Sequence, residues 1–483
     1  MTSLAIRSLG CARNEVDSEE LAARFAEAGF DLVNEADQAE VVVVNTCGFI
    51  EAAKAESIDE ILSAGAGTAS GRKRTVIAAG CLAERYGAEL AASLPEADAV
   101  VGFDDYDHIA EIVQGVMAGI RPQSHQPADR RRLLPLAPAE RFDDSQLPSW
   151  VPSRRKRLDG SPLAPLKIAS GCDRRCAFCA IPSFRGAFRS RLPADIVREA
   201  HWLAEQGVKE LFLVSENTTS YGKDLSGTHA LEDLLGDLAT VDGIDWIRLS
   251  YLQPAELRPS LIDAIASTPK VVTYFDLPFQ HASASVLRRM RRFGDAQSFL
   301  DLLAAIRTKL PQAGIRSNVI VGFPGETDQD VATLTQFLGE AGLDAIGVFA
   351  YSDEEGTEAA GLDAHLDQAE IAARTSSVAQ WADTVTALRA MQRIGSRVEV
   401  LVEGDEDAMA VGRAAQQGPE DGRSYLRRLP MGVDQPVSGQ ILRGRVVDSD
   451  GVDWIVELDH SENGPAFLGE KASPGPGYDR IHT

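Results

Sequence analysis

The rhythm of apolar positions changes several times along this chain. Over residues 1 to about 120, short apolar runs alternate with stretches of helical period: Leu4–Leu9, Glu19–Ala28, Val41–Asn45, Ala52–Ser63, Thr75–Ala79, Ala83–Ala92 and His108–Met117. Strand-like runs separated by amphipathic helices predict a small open α/β sheet domain. Residues 121–165 carry eight prolines and keep no period, which predicts an irregular linker. From 166 to 393 a strand-then-helix pattern recurs. Its candidate strands are Leu166–Ala169, Glu210–Ser215, Trp246–Tyr251, Tyr274–Phe279, Arg316–Gly322 and Ala345–Ala350, with helices such as Pro193–Gln206 and Asp328–Ala341 between them. Consecutive β/α units imply parallel strands and a partial (β/α)6 barrel. The helical period is lost over 394–468, where Arg397–Val402, Met409–Arg413, Gln440–Val447 and Trp454–Leu458 read as strands of a small β-barrel. Residues 469–483, rich in Gly and Pro, read as a loose tail.

At 483 residues the chain is too long for one core, and 44% apolar with 25% charged residues excludes a disordered chain. Its start lacks a basic segment followed by a long apolar one, and its longest aliphatic run, Val41–Val44, cannot span a bilayer. A cytoplasmic protein with no membrane partner is expected. The net charge of −24 opposes phosphate binding overall. Two basic clusters, Arg130–Arg132 and Arg154–Arg157, are expected as solvated surface.

The six cysteines change the picture. Gly171-Cys172-Asp173-Arg174-Arg175-Cys176-Ala177-Phe178-Cys179 has the spacing C-x-x-x-C-x-x-C and directly follows the first expected barrel strand. Three thiolates so close can converge on one iron–sulfur cluster, and with no fourth cysteine nearby one iron stays open for chemistry. Structural zinc would need four closed ligands. Cys11, Cys47 and Cys81 are scattered, but each follows an apolar strand candidate. Strand-end loops of an open parallel sheet gather at one edge, so these thiols either meet there around a second cluster or pack as buried cysteines. Spacing alone leaves both readings open. Ser215-Glu216-Asn217, Ser250-Tyr251, Gln280-His281, Gly322-Phe323-Pro324-Gly325-Glu326 and Tyr351-Ser352 end successive barrel strands, the face where such barrels place their chemistry.

The motif at Cys172 resembles the radical-SAM signature, including Phe178 before the third cysteine. That resemblance implies a [4Fe-4S] cluster whose open iron chelates S-adenosylmethionine (SAM) and cleaves it to a 5′-deoxyadenosyl radical. It also makes Glu216 the candidate for the SAM amino group, and Gly322 and Gly325 candidates for close approach to the adenosine. Ser8-Leu9-Gly10-Cys11-Ala12-Arg13-Asn14 with Val16-Asp17-Ser18-Glu19, Asn45-Thr46-Cys47 and Ala79-Gly80-Cys81 resemble the motifs of methylthiotransferases. The carboxyl-terminal segment is similar to a TRAM barrel, so the resemblance spans nearly the whole chain. It implies two [4Fe-4S] clusters, each on three cysteines, the amino-terminal one handling sulfur, and a second SAM as methyl donor. Six cysteines then fill six ligand places, and no catalytic residue beyond them is expected.

Two branches of that family compete, one acting on an adenosine in tRNA and one, the RimO type, on an aspartate of ribosomal protein S-twelve. Ala180–Gly186, Glu216–Gly222, Leu277–Ser283, Tyr351–Thr357 and Gly412-Arg413-Ala414 are similar to the RimO type. From Arg397 to Glu462 there are 7 basic and 14 acidic residues, a net of −7, which suits a basic ribosomal protein better than tRNA. The resemblance therefore implies methylthiolation at the β-carbon of the S-twelve aspartate, with a reductant such as flavodoxin or ferredoxin. Gln416-Gln417-Gly418-Pro419-Glu420 and the long linker depart from the family pattern.

Overall fold

The computed structural model describes residues 1–66, 74–130, 155–225, 229–407, 409–427, 435–461 and 464–465. Its amino-terminal sheet holds β1 (Ser3–Ser8), β2 (Asp31–Leu32), β3 (Val41–Thr46), β4 (Thr75–Ala79) and β5 (Ala99–Val100), all parallel, in the order β2-β1-β3-β4-β5. Helices α1 (Ala12–Glu27), α2 (Glu51–Gly65) and α3 (Gly80–Ser93) lie between them, and α4 (Ile109–Met117) follows β5. Alternate residues face opposite layers. Leu4, Val41, Val43 and Ile77 pack with Leu21 and Phe25 of α1 and Val113 of α4, while Val42, Val44 and Ala78 pack with Ile61 of α2 and Leu90 of α3. Burial on both faces explains why β3 reads as an unbroken apolar run.

Helix α1 starts well before the expected Glu19 because Cys11, in extended conformation, takes its N-cap position. Asn14, Asp17, Ser18, Glu19 and Glu20 are all buried, so the inward face of this helix is polar and its period is hidden.

The central domain runs β6 (Leu163–Lys167), β7 (Ala169–Ser170), α5 (Ile181–Arg185), β8 (Arg189–Ser190), α6 (Pro193–Glu205), β9 (Glu210–Val214), α7 (Ala230–Ala239), β10 (Trp246–Leu249), α8 (Pro259–Ser267), β11 (Tyr274–Asp276), α9 (Ala284–Arg289), α10 (Ala296–Lys309), β12 (Gly314–Val321), α11 (Asp328–Ala341), β13 (Ala345–Ala350) and α12 (Gln368–Gln392). Strands β6, β9 and β10 form one parallel ladder and β11, β12 and β13 another. Ile247 joins the two by donating to Lys270 O and accepting from Val272 N. The six expected strands thus form a partial barrel in sequence order. The β7–β8 ladder and α5 are an insertion that the apolar rhythm does not reveal, since each element is too short to show a period.

Strands β14 (Arg397–Glu406), β15 (Met409–Ala414), β16 (Ser424–Leu426), β17 (Ile441–Asp450) and β18 (Asp453–Leu458) close a small barrel in the order β14-β15-β16-β18-β17. It sits on the amino-terminal ends of the central strands. Arg413 binds Glu210 at 2.8 Å, Tyr274 donates to Asp421, and Arg316 pairs with Glu420 and Asp421 at 2.9 and 3.0 Å. The Gln416–Glu420 stretch is this docking loop, its backbone pressed against Gly314.

The expected linker takes definite structure at both ends. Arg130 pairs with Glu84 at 2.6 Å and Asp104 at 2.9 Å, and Arg155, 1% exposed in its side chain, pairs with Glu19 at 2.5 Å and Glu199 at 2.6 Å. These two arginines are buried pins, which corrects the expectation of solvated clusters. Arg131, Arg132 and Arg154, like the tail from 469, lie outside the described residues.

Candidate active site between two cysteine trios

Strands β1, β3 and β4 end at one edge of the amino-terminal sheet, and each hands the chain to a cysteine. Gly10 and Gly80 turn with φ of +89°, a conformation that favours glycine. A Cβ on Gly10 would stand 2.7 Å from Cys47 Cβ and 2.8 Å from its sulfur, so the Cys11 and Cys47 loops touch. Polar side chains lash the three ends together. Asn14 donates to Leu9 O and Thr46 O at 2.8 and 3.0 Å, and Asn45 donates to Asn14 O and Ser18 Oγ, both at 2.8 Å. Burial pushes the Cys81 thiol up to about 12 and raises Cys47 as well. Burial opposes ionisation of Cys11 too, but Arg13 and Arg185 outweigh it and hold this thiol below its usual value.

Cys172, Cys176 and Cys179 line a cavity of about 420 Å3 at the carboxyl end of the central barrel. Their loop is anchored by Cys172 N donating to Gly186 O at 3.1 Å, Ala177 N to Met290 O at 3.0 Å and Ala359 N to Ala177 O at 2.8 Å. Burial pushes Cys172 up to about 12 and Cys179 higher still. Thiols so costly to ionise alone give up their protons to a metal, which fits an iron–sulfur group. Among the described residues no three His, Cys, Asp or Glu side chains close on a single-ion shell. A cubane, whose ligands bind separate irons, does not require that.

Arg13, Arg185 and Glu216 join the two trios. Arg185, at the end of α5, donates to Cys81 Sγ at 3.1 Å, to Asn14 Oδ1 at 3.0 Å and to Asp17 at 3.1 Å, and stands 3.8 Å from Glu216. Arg13, next to Cys11, donates to Ser215 O at 3.1 Å, stands 3.6 Å from Glu216 and lies over the Tyr251 ring at 5.2 Å. The Glu216 charge in turn acts on Cys172, and Arg13 on Cys179. Both carboxylate oxygens of Glu216 are buried and accept no hydrogen bond. An ammonium donor arriving there would satisfy them, so the position fits the amino group of SAM.

Phe178 packs against Phe323, Tyr351 and Ile371 beside the cysteine loop. Gly322 and Gly325 have φ of +85° and +81°, but the side a Cβ would take is filled at one by Ile371 and at the other by the Arg289 guanidinium. Glycine there serves the turn and this packing, a different reason from an open approach to adenosine. Arg13 and Arg185 stand inside the sequence motifs, where pattern alone assigns them no role. The available signal was a fixed cation beside a cysteine and another in the loop after the three-cysteine motif.

Residues 3–102 match the family described as Uncharacterized protein family UPF0004, residues 166–338 the Radical SAM superfamily and residues 394–458 the TRAM domain. A curated protein of Nocardioides, "Ribosomal protein uS12 methylthiotransferase RimO", is 57% identical over 467 residues, covering 94% of this chain and 96% of its own. The chain belongs to the RimO family. Proteins of the same name from Saccharopolyspora erythraea and Cutibacterium acnes are 57% and 55% identical, over 94% and 93% of this chain and 94% and 96% of theirs. The radical-SAM methyltransferase TsrM from Kitasatospora setae shares the fold, with a TM-score of 0.50 at 15% identity over 72% of each chain. RimO-family membership makes this chain a radical-SAM methylthiotransferase, and the radical-SAM domain implies SAM and a [4Fe-4S] cluster. Among the described residues no helix is long and apolar enough to cross a membrane.

Proposed function

We propose that this protein transfers a methylthio group to the β-carbon of an aspartate in ribosomal protein uS12 (S-twelve) of the small subunit, using two clusters on Cys172, Cys176, Cys179 and on Cys11, Cys47, Cys81. Arg185 carries the reading: one side chain touches a sulfur of the amino-terminal trio and a carboxylate whose charge reaches the other trio. When bound, the two clusters and SAM supply the radical, the sulfur and the methyl group.

The chain's own residues do the rest. Glu216 holds the SAM amino group, with Arg13 and Arg185 flanking its carboxylate at 3.6 and 3.8 Å and fixing where it points. Arg13, Arg185 and Glu216 side chains are 12%, 6% and 1% exposed, so the junction excludes water that would quench a radical. Phe178 packs the wall beside the cysteine loop. The acidic carboxyl-terminal barrel lies at the far end of the central strands, so it attracts basic uS12 by long-range field rather than by contact at the radical. Flavodoxin or ferredoxin supplies the electron, the work is cytoplasmic, and tRNA is not a substrate. Mass spectrometry of uS12 from cells with and without this protein tests the reading. A methylthio mass increment on one aspartate, present only with the protein, is expected; the increment on a tRNA adenosine instead would overturn it.

A further inference from the structure

The surface beside the Cys172 loop departs from the acidic character of a chain with net charge −24. Arg174 and Arg175 lie between the first two cysteines, while Arg288, Arg291 and Arg292 come from the end of α9 and the turn after it. With Phe293 they line a hollow of about 600 Å3 that adjoins the cysteine cavity, and Arg174, Arg175 and Arg291 border both. Arg174 pairs with Glu256, and Arg291 with Glu358 at 2.7 Å. Among the described residues, Arg175 and Arg288 are exposed and have no ionic partner. Asp295 at the rim is engaged in capping α10.

Phe293 is 77% exposed. Gly294 turns there with φ of +122° and abuts the Phe299 ring, which enters the core while Phe293 stays outside. Folding gains nothing from an aromatic ring left in water amid arginines, whereas protein interfaces favour that combination. Arg292 also connects the patch to the cysteines, its guanidinium 3.8 Å from Cys176 Sγ.

We propose that this basic, aromatic-tipped patch is the landing site of an acidic one-electron carrier protein. This rests on the radical-SAM reading, which requires an electron to enter at these three cysteines. One electron leaves the carrier, which is oxidised by one unit, and enters the iron–sulfur group behind Arg292; no bond is made or broken at the surface. Basic uS12 is repelled by such a patch. Ribosomal RNA is the competing polyanion, but a small patch on a chain of this net charge neutralises few phosphates.

The test uses the iron-loaded full chain and measures 5′-deoxyadenosine formation, driven either by dithionite or by reduced flavodoxin. The flavodoxin-driven rate should fall as ionic strength rises from about 0.01 to about 0.15 M, where the screening length shortens to about 8 Å, while the dithionite-driven rate holds. An Arg288→Glu/Phe293→Asp variant should keep its dithionite rate, need roughly tenfold more flavodoxin for half its maximal rate, and bind oxidised flavodoxin roughly tenfold more weakly in a direct calorimetric titration. If that variant loses iron, Arg288→Gln alone is read the same way, with a smaller shift expected. Unchanged flavodoxin dependence overturns the proposal. So does an equal loss of uS12 modification with both reductants together with lost binding of ribosomal RNA, which would assign the patch to RNA. No 5′-deoxyadenosine from the parent protein with dithionite would instead defeat the underlying radical-SAM reading.

Discussion

Arg185 belongs to the central barrel, yet its guanidinium donates to the sulfur of Cys81, a residue of the amino-terminal sheet, at 3.1 Å. The same group meets Asp17, which Lys167 of β6 also pairs. The environment of the amino-terminal trio is therefore completed by the other domain.

Arg185→Gln should release that trio. Breaking a buried ion pair by removing one partner costs about 3–5 kcal/mol, so a lower melting temperature is expected. If the amino-terminal trio holds the second cluster proposed above, iron should fall from about eight toward about four per chain. A variant with full iron and unchanged melting would show the contact to be idle.

The two trios should separate by substitution. Replacing Cys172, Cys176 and Cys179 by Ala should halve the iron and abolish 5′-deoxyadenosine formation. Replacing Cys11, Cys47 and Cys81 should leave SAM cleavage but end methylthio transfer. Normal modification of uS12 by the second variant would remove the sulfur role from that trio.

Asp276 gives a pH signature. Burial pushes its carboxyl up to about 6, Arg316 opposing and Asp421 and Glu420 adding to the rise. The folded chain keeps this proton to about pH 6, whereas the unfolded chain releases it near 3.8. This residue's contribution to stability therefore declines as pH rises between those values, by up to about 3 kcal/mol, and stays low above them. Asp276→Asn should melt higher than the parent at pH 8, with a much smaller gain at pH 4.5. Equal gains at both pH values would exclude the titration as the cause.

Arg413→Ala should act on stability alone. The residue is 3% exposed and shares the buried Glu210 carboxylate with Arg248. Its loss should cost about 3 kcal/mol in denaturant unfolding. The rate of SAM cleavage per loaded iron should hold, because this contact lies at the strand ends opposite the cysteines. A large fall in that rate would mean the two ends of the barrel are coupled.

The strand-and-helix rhythm was legible because β3, β9 and β13 are mostly apolar and bounded by turns. The early start of α1 was not, because its inward face carries Asn14 and Asp17, whose partners Lys167 and Arg185 are far away in sequence. Arg13 and Arg185 stood in plain view, but a cation's role depends on what it meets, and Arg185 meets a thiol 104 residues away. Charge counting gave the carboxyl-terminal barrel its sign but not its place. The Tyr274–Asp421 and Arg316–Glu420 contacts put it at the other end of the strands. Gly322 and Gly325 show the same limit: glycines at a strand end are readable from sequence, but the side chains that fill the space beside them are not.

The charged pairs between the first and central domains also bear on how such a protein can be recombined. Lys167 meets Asp17, Arg155 meets Glu19, and Arg85 and Lys54 both meet Glu354 at 2.6 and 3.1 Å. A hybrid gene joined between residues 130 and 155 inherits only one half of each pair, and a mismatched half leaves a bare charge in a dry seam. Such hybrids inherit a working junction only when both parents carry matching residues at these positions, so the two domains are expected to diversify as one unit.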